Sequence, residues 1–331
     1  MAASCGAMLK DALLGVGLAL LTAAPASAGE LVAWGGDNFG QTSGAPSGSF
    51  VAVSAGGELY SLALDDQGHA WAWGNDAHDQ VSGLPSAGQG SYTAIAAGVW
   101  HGLALDDQGH IWAWGDDGNN GRVDDTPAHG QATFTAIAAG NWHSLALDDQ
   151  GNVWGWGNNQ TNQISPPAQA QGTFTQIAAG GSHSLALDEA GNVWAWGADN
   201  FGQISGPPTD AGLSFVAIAA GVNHSLALDD QGQVWAWGWD TLGQVSDTPT
   251  QGRFTQIAAG GRVSMAIDDN RELWAWGNES TIKMDELPDG AQGHFIAIDT
   301  GGDHHLAIIP EPGTLAMLGV GALALRRRRR A

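Results

Sequence analysis

The 331-residue chain carries 34 acidic and 11 basic residues, 50 glycines, 16 tryptophans and a single cysteine. Between Gly29 and Pro310 the balance is 32 acidic to five basic residues, a net of −27, which repels phosphate backbones and argues against nucleic acid as a partner. A hydrophobic content of 43% supplies a core, so the chain is not of the disordered class.

Residues 1–28 read as a secretory signal peptide. Lys10 precedes an apolar run from Ala12 to Ala24, and Ala26-Ser27-Ala28 is a small-x-small cleavage pattern that places the cut between Ala28 and Gly29. The apolar part is too short for a good membrane span. Cys5 lies inside this segment, so the exported protein has neither thiol nor disulfide and relies on its core.

From Leu31 a repeat begins. Trp-Gly falls at Trp34, Trp73, Trp114, Trp156, Trp196, Trp237 and Trp276, at intervals of 39 to 42 residues. An Ala-rich strand ending in Gly precedes each hairpin, as in Ile137-Ala138-Ala139-Gly140, with weaker copies at Val53-Ser54-Ala55-Gly56 and Ile298-Asp299-Thr300-Gly301. Seven strand-rich copies of about forty residues predict an all-β, seven-bladed β-propeller over residues 29–309. Alternation gives each unit a large-residue face and a small-residue face, so that the large face of one packs on the small face of the next. Asp106-Asp107-Gln108-Gly109 and its counterparts suit hairpin turns with glycine in the left-handed position. The first Asp can bond backbone amides within the turn. The acids as a set read as solvated rather than as calcium ligands, since no copy has calcium-loop spacing.

The two ends complement one another. The chain opens with Leu31-Val32-Ala33-Trp34-Gly35, an outer strand without a hairpin partner, and residues 295–309 supply inner strands with no Trp-Gly strand after them. Joined, they complete a seventh blade and remove exposed edges. Beyond it, residues 310–331 form a tripartite tail: Pro310-Glu311-Pro312, an apolar run from Leu315 to Leu325, and Arg326, Arg327, Arg328, Arg329 and Arg330. The run is short for a permanent anchor, and the arginines would stay on the cytoplasmic side.

The pattern Ile-Ala-Ala-Gly-x-x-His-Ser-Leu-Ala-Leu, turn, Gly-x-Val-Trp-Ala-Trp-Gly, then Gly-Gln resembles the regulator of chromosome condensation repeat in its compact bacterial form. The Gly-Gln element stands at Gly40-Gln41, Gly202-Gln203 and Gly243-Gln244, is altered to Asp79-Gln80, Gly121-Arg122 and Asn162-Gln163, and is lost after Trp276. The resemblance implies a propeller that binds proteins through one face. The nucleotide-exchange role of the family's nuclear members does not carry over to an exported, acidic chain with no insertion like the exchange wedge. The tail resembles a PEP-CTERM sorting signal, which implies cleavage by an exosortase-type protease, transient membrane contact through the tail, and a Gram-negative bacterium that holds the protein at the envelope or outside the cell.

The recurring His101, His143, His183, His224 and His304 or His305 point around a ring rather than toward one centre, so they read as structural groups bonding the neighbouring loop's backbone, not as metal ligands. No catalytic motif is present and no cofactor is implied. The departures from the repeat carry more information. Thirteen tryptophans belong to the Trp-Gly strands, whereas Trp100, Trp142 and Trp239 do not. Trp100 and Trp142 occupy the loop before the histidine, where other copies have residues such as Arg262 and Asp303. These five residues are the candidate binding set for an envelope protein or, alternatively, an exopolysaccharide; a role for the first two indoles in packing between units is the competing expectation.

Overall fold

The structure is a computed structural model that describes residues 28–57, 59–85, 91–170, 172–207, 212–287 and 294–311. The leader up to residue 27 and the tail from Pro312 on, including Arg326 to Arg330, lie outside the described residues.

Hydrophobic alternation in the repeat produces three-stranded antiparallel units. In chain order, β1 (Gly29–Gly35) is followed by β2, β3 and β4 (Ser49–Gly56, Tyr60–Asp65, Ala70–Gly74) and β5, β6 and β7 (Tyr92–Ala97, His101–Asp106, Ile111–Gly115). Next come β8, β9 and β10 (Phe134–Ala139, His143–Asp148, Val153–Gly157), then β11, β12 and β13 (Phe174–Ala179, His183–Asp188, Val193–Gly197). The last are β14, β15 and β16 (Phe215–Ala220, His224–Asp229, Val234–Gly238), β17, β18 and β19 (Phe254–Gly260, Val263–Asp268, Leu273–Gly277), and β20 and β21 (Ala297–Thr300, His304–Pro310). A short helix α1 (Glu279–Ile282) stands where Gly-Gln is lost. Five sheets have three strands, and a sixth runs β20-β21-β1-β2-β3-β4. In that sheet β1 pairs with β21 over its whole length, from Gly29 opposite Pro310 to Gly35 opposite His304, and meets β2 only at Gly29 and Glu30. The first strands of successive units touch in the order β2, β5, β8, β11, β14, β17, β20, and β20 touches β2.

The packing differs from the large-face, small-face expectation. Within a unit Trp196 pairs opposite Ser184, Trp194 opposite Ala186, and Ala195 opposite Leu185. Large residues thus meet small ones across the strand pair, and each face keeps bulk of its own: leucines on one side, indoles on the other. Leu185 and Leu187 pack on Phe215, Ile218, Ala227 and Trp237 of the next unit. Burying each leucine contributes about 1.5–3 kcal/mol, available only with the neighbour in place.

The turns follow the expected geometry, with Gly68, Gly109, Gly151, Gly191 and Gly232 at φ between 76° and 83°. In the last copy Arg271 holds that conformation at φ 64°. The acids of the turn divide into two kinds. The first, Asp188 for example, is buried and accepts from Ala190 N and Asn192 N at 2.9 and 2.8 Å and from the Trp194 indole at 2.9 Å. Although burial works to raise their pKa, the indole and amide donors outweigh it and hold Asp65, Asp106, Asp148 and Asp188 below the usual carboxylate value. Only the second acid of each turn is solvated as expected.

Candidate functional site

Strand register defines two opposite ends of every unit. His101 pairs with Gly115, so the loop before the histidine and the loop after Trp-Gly emerge together at one end, the loop face. The Asp turns form the other end, the turn face.

At the loop face the backbone is fixed by the same bond in each copy. The residue before the histidine position accepts, through its carbonyl, the amide that follows Trp-Gly: Trp100 from Asp116 at 2.8 Å, Trp142 from Asn158 at 2.9 Å, Asn223 from Trp239 at 2.9 Å, and Arg262 from Asn278 at 3.0 Å. Asp303 accepts from Gly36 at 2.7 Å, which ties the two ends of the chain. With the main chain held this way, the side chain is free to vary.

A second variable position lies two residues before the buried glutamine. Gln41, Gln80, Gln163, Gln203 and Gln244 turn their side-chain oxygens back onto the amides of Phe39, His78, Thr161, Phe201 and Leu242 at 2.8–2.9 Å. Their main-chain carbonyls accept the indole N–H of the following Trp-Gly strand, for example Trp196 to Gln163 at 2.8 Å. The glutamines are therefore fixed in the interior while Phe39, Phe201 and Leu242 stay exposed at 48%, 48% and 38%. Sequence reasoning missed this position, although its variation in register with Gly-Gln carried the signal.

The two variable positions combine into two clusters. In the first, the Phe201 and Trp239 ring centres lie 5.8 Å apart, and the exposed Arg262 guanidinium stands over the same indole at 4.9 Å. In the second, Trp100 meets His78 edge-on at 5.1 Å, His78 Nδ1 is 3.6 Å from Asp116, Asp116 pairs with Arg122 at 3.0 Å, and Arg122 lies 5.5 Å beneath Trp142. Trp100 and Trp142 are thus joined through three polar side chains rather than ring to ring. Trp142 is 40% exposed, whereas Trp100 is half-buried. Arg122 stands in a glutamine position and is buried, with Nη1 unpartnered. Burial lowers its pKa, opposed by the carboxylates of Asp116 and Asp117. Asp303 is half-buried, its carboxylate lying where a Cβ on Gly36 would sit.

The histidines are latches between units. His101, His143, His183 and His224 are buried, each with Nε2 2.8–3.0 Å from the hydroxyl of Ser144, Ser184, Ser225 or Ser264 in the next unit. The partner is thus a side-chain hydroxyl rather than the backbone expected from the sequence. Ser184, Ser225 and Ser264 donate onward to the carbonyls of Gln163, Gln203 and Gln244 at 2.7–3.1 Å, so the imidazole Nε2–H donates to them. Burial holds the rings neutral, with pKa values down to about 3 for His101, His143 and His183 and about 4 for His224.

A cavity of about 440 Å³ runs between the first strands, lined largely by their alanines and glycines. The carboxylate in its wall, Asp299, accepts from the amides of Ala55 and Thr300 at 2.9 and 2.8 Å and from the Ser54 hydroxyl, and burial raises its pKa to about 7. It is structurally committed. Among the described residues no group of three or more potential metal ligands converges.

Residues 92–122, 134–163, 174–203 and 215–244 match the regulator of chromosome condensation (RCC1) repeat, and residues 309–330 match the PEP-CTERM protein-sorting motif. This chain carries RCC1 repeats. Each matched repeat opens on the aromatic that begins a first strand and closes on the buried Gln, or on Arg122. The units built on β2, β17 and β20 repeat the architecture outside the matched stretches. The structure is similar to Prp20p of Saccharomyces cerevisiae, at 18% identity over 86% of this chain and 92% of that one, TM-score 0.72. It is similar also to the yeast RCC1 (Prp20) bound to Kap60, at 17% identity over 96% of each chain, TM-score 0.71. The ectodomain of the Physcomitrella patens receptor kinase CR4 follows at 24% identity over 76% and 67%, TM-score 0.61. At these identities the likeness shows a shared propeller fold. No curated protein sequence matches the chain. Among the described residues no helix is long and apolar enough to cross a membrane.

Proposed function

We propose that residues 29–309 form a seven-bladed RCC1-type propeller, closed by β1 pairing with β21, that acts as an exported, non-enzymatic protein-interaction module at the envelope of a Gram-negative bacterium. Residues 1–28 are its signal peptide, and residues 310–331 its sorting tail, cut by an exosortase-type protease. The cyclic order of contacts from β2 round to β20 supports the closed ring.

The observation that carries the binding role is the Phe201–Trp239–Arg262 cluster. An exposed phenylalanine and a half-buried tryptophan beside an exposed arginine form the kind of surface that dominates protein interfaces, and here their backbones are fixed before any partner arrives. The structure of Prp20p is described together with that protein's binding to Gsp1p and histones; what carries over is use of the fold for protein binding, not those partners. A second reading, stacking of an exopolysaccharide sugar, is favoured by the exposed Trp142 ring backed by Arg122.

The test is capture by the processed protein of envelope proteins and polysaccharide from its producer, repeated with Trp239→Ala plus Arg262→Ala. A protein retained by the wild type and lost by the variant is expected. Retention by neither, or equal retention by both, removes this reading. Polysaccharide retained by the wild type and lost with Trp142→Ala selects the second reading instead.

A further inference from the structure

The two processing points come together in one corner of the fold. Gly29, the first residue after the leader cut, lies opposite Pro310 on one side and Phe50 on the other. A Cβ on Gly29 would fall 2.1 Å from the carbonyl oxygen of Ile309, so the chain passes here with no room for a side chain. Glu311, at the end of β21, reaches past the start of β1 to accept a 3.0 Å hydrogen bond from the Ser49 hydroxyl on β2. Phe50 pairs with Asp65, which puts the whole corner at the turn face.

Chain length then sets orientation. Three residues, Pro312 to Thr314, separate Glu311 from the apolar run that begins at Leu315, and four, Pro25 to Ala28, separate Gly29 from the apolar run ending at Ala24. Fully extended, such links span roughly 11–14 Å. The loop face lies at the far end of β1 and β21, roughly 20 Å higher at about 3.3 Å per residue.

We infer that, while either apolar run is in the bilayer, the turn face is the surface held against the lipid and the loop face, with Trp239 and Arg262, is presented outward. The occupant of the turn face is the membrane surface itself, held by the covalent link rather than by attraction. That face exposes Asp66, Asp107, Asp149, Glu189, Asp230 and Asp269, which anionic headgroups repel. The inference rests on the reading of residues 310–331 as a tail that enters the membrane. It adds that both cuts are made at the same corner and that release leaves the loop face unaltered.

The exported chain has no cysteine, because Cys5 lies in the leader, so single labels can be placed cleanly. The full chain is produced in a Gram-negative host without the sorting protease and purified with its tail. It carries Gln67→Cys or Gln150→Cys on the turn face, or Asn38→Cys or Gln160→Cys on the loop face. Fluorophore-labelled protein is reconstituted in phosphatidylcholine–phosphatidylglycerol vesicles containing a headgroup-linked nitroxide quencher. Given roughly 20 Å of height between the faces, turn-face labels should be quenched about twofold more than loop-face labels, and protein ending at Glu311 should not float with the vesicles. Equal or stronger quenching at the loop face, on protein that floats, overturns the orientation and leaves the tail reading standing. Flotation of the form ending at Glu311 shows adsorption in place of tethering and also overturns it. If the tailed protein itself fails to float, the tail reading falls and the inference with it.

Discussion

A histidine ring in four consecutive units ends on a serine hydroxyl in the next, about forty residues further along the chain. Removing the hydroxyl leaves a buried imidazole N–H unpaired, so Ser184→Ala should lower stability by about 1–3 kcal/mol, measured by guanidinium unfolding. The latch also titrates. The rings have folded-state pKa values of about 3 to 4 against about 6.5 in an unfolded chain. Between these values the unfolded state binds more protons, so stability is complete above about pH 6.5 and declines as pH falls toward 4. Asp299 acts in the opposite sense. Its folded-state pKa is raised to about 7, so its contribution is present below the ordinary carboxylate range and lost as pH rises through 7. Thermal melts across pH 4 to 9 should therefore peak near neutrality, with a shallower acid limb in His143→Asn. The latches were only half legible in the sequence. The recurrence of His and Ser in register showed them to be structural, but the bond joins neighbouring copies, and a periodic sequence reads the same with or without that pairing.

Two of the junctions without the latch show paired departures one period apart; at a third, His304 and Ser61 both stand in register, yet neither ring nitrogen of His304 has a hydrogen-bond partner among the described residues. Tyr60 replaces a histidine, and its hydroxyl reaches the carbonyl of His101 at 2.5 Å; the next residue, Gly102, stands where other units have serine and leaves room for the Trp114 ring. Val263 replaces another histidine, and His305 takes the following serine position, bonded to Thr300 and to the carbonyl of Thr281 at 2.8 Å each. The strands and glycine turns could be read from periodicity because they depend on local pattern. These exchanges could not, because each residue's reason lies in another unit. The indole bonds of the turn acids stay within one hairpin, six residues along, but they are set by cross-strand register and so escaped the local pattern as well. At this scale the turn of the sixth hairpin is a test. Arg271 occupies the left-handed conformation that glycine holds in the other five copies. Arg271→Gly should leave the hairpin intact and raise stability by up to about 1 kcal/mol, read as an increase in Tm, because the left-handed conformation costs a side chain of order 1–2 kcal/mol and glycine's added unfolded-state entropy returns part of the gain.

For the whole molecule, repetition and departure divide the labour. Residues that recur in register, the four latch histidines, the glutamines and the second indole of each Trp-Gly strand, are committed to contacts between units, and the residues proposed to bind a partner stand where the backbone is fixed and the side chain varies. The binding positions were partly legible. Trp100, Trp142, Trp239 and Arg262 broke the pattern visibly, while Phe201 and His78 went unnoticed because the glutamine that fixes their backbone looked like part of a loop motif. The proposed ring depends on the ends being joined, since β1 gives the last unit its third strand and places both processing points in one corner. Amide hydrogen exchange on the processed protein tests this most directly. If β1 closes the ring against β21, the amides of Leu31 to Gly35 will show the alternating protection of an outer strand, matching Val193 to Gly197 in β13, because β1 has a partner on one side only over these residues. If they exchange at the rate of a free terminus while β13 stays protected, the ring is not closed in this way, and both the proposed architecture and the shared processing corner are wrong.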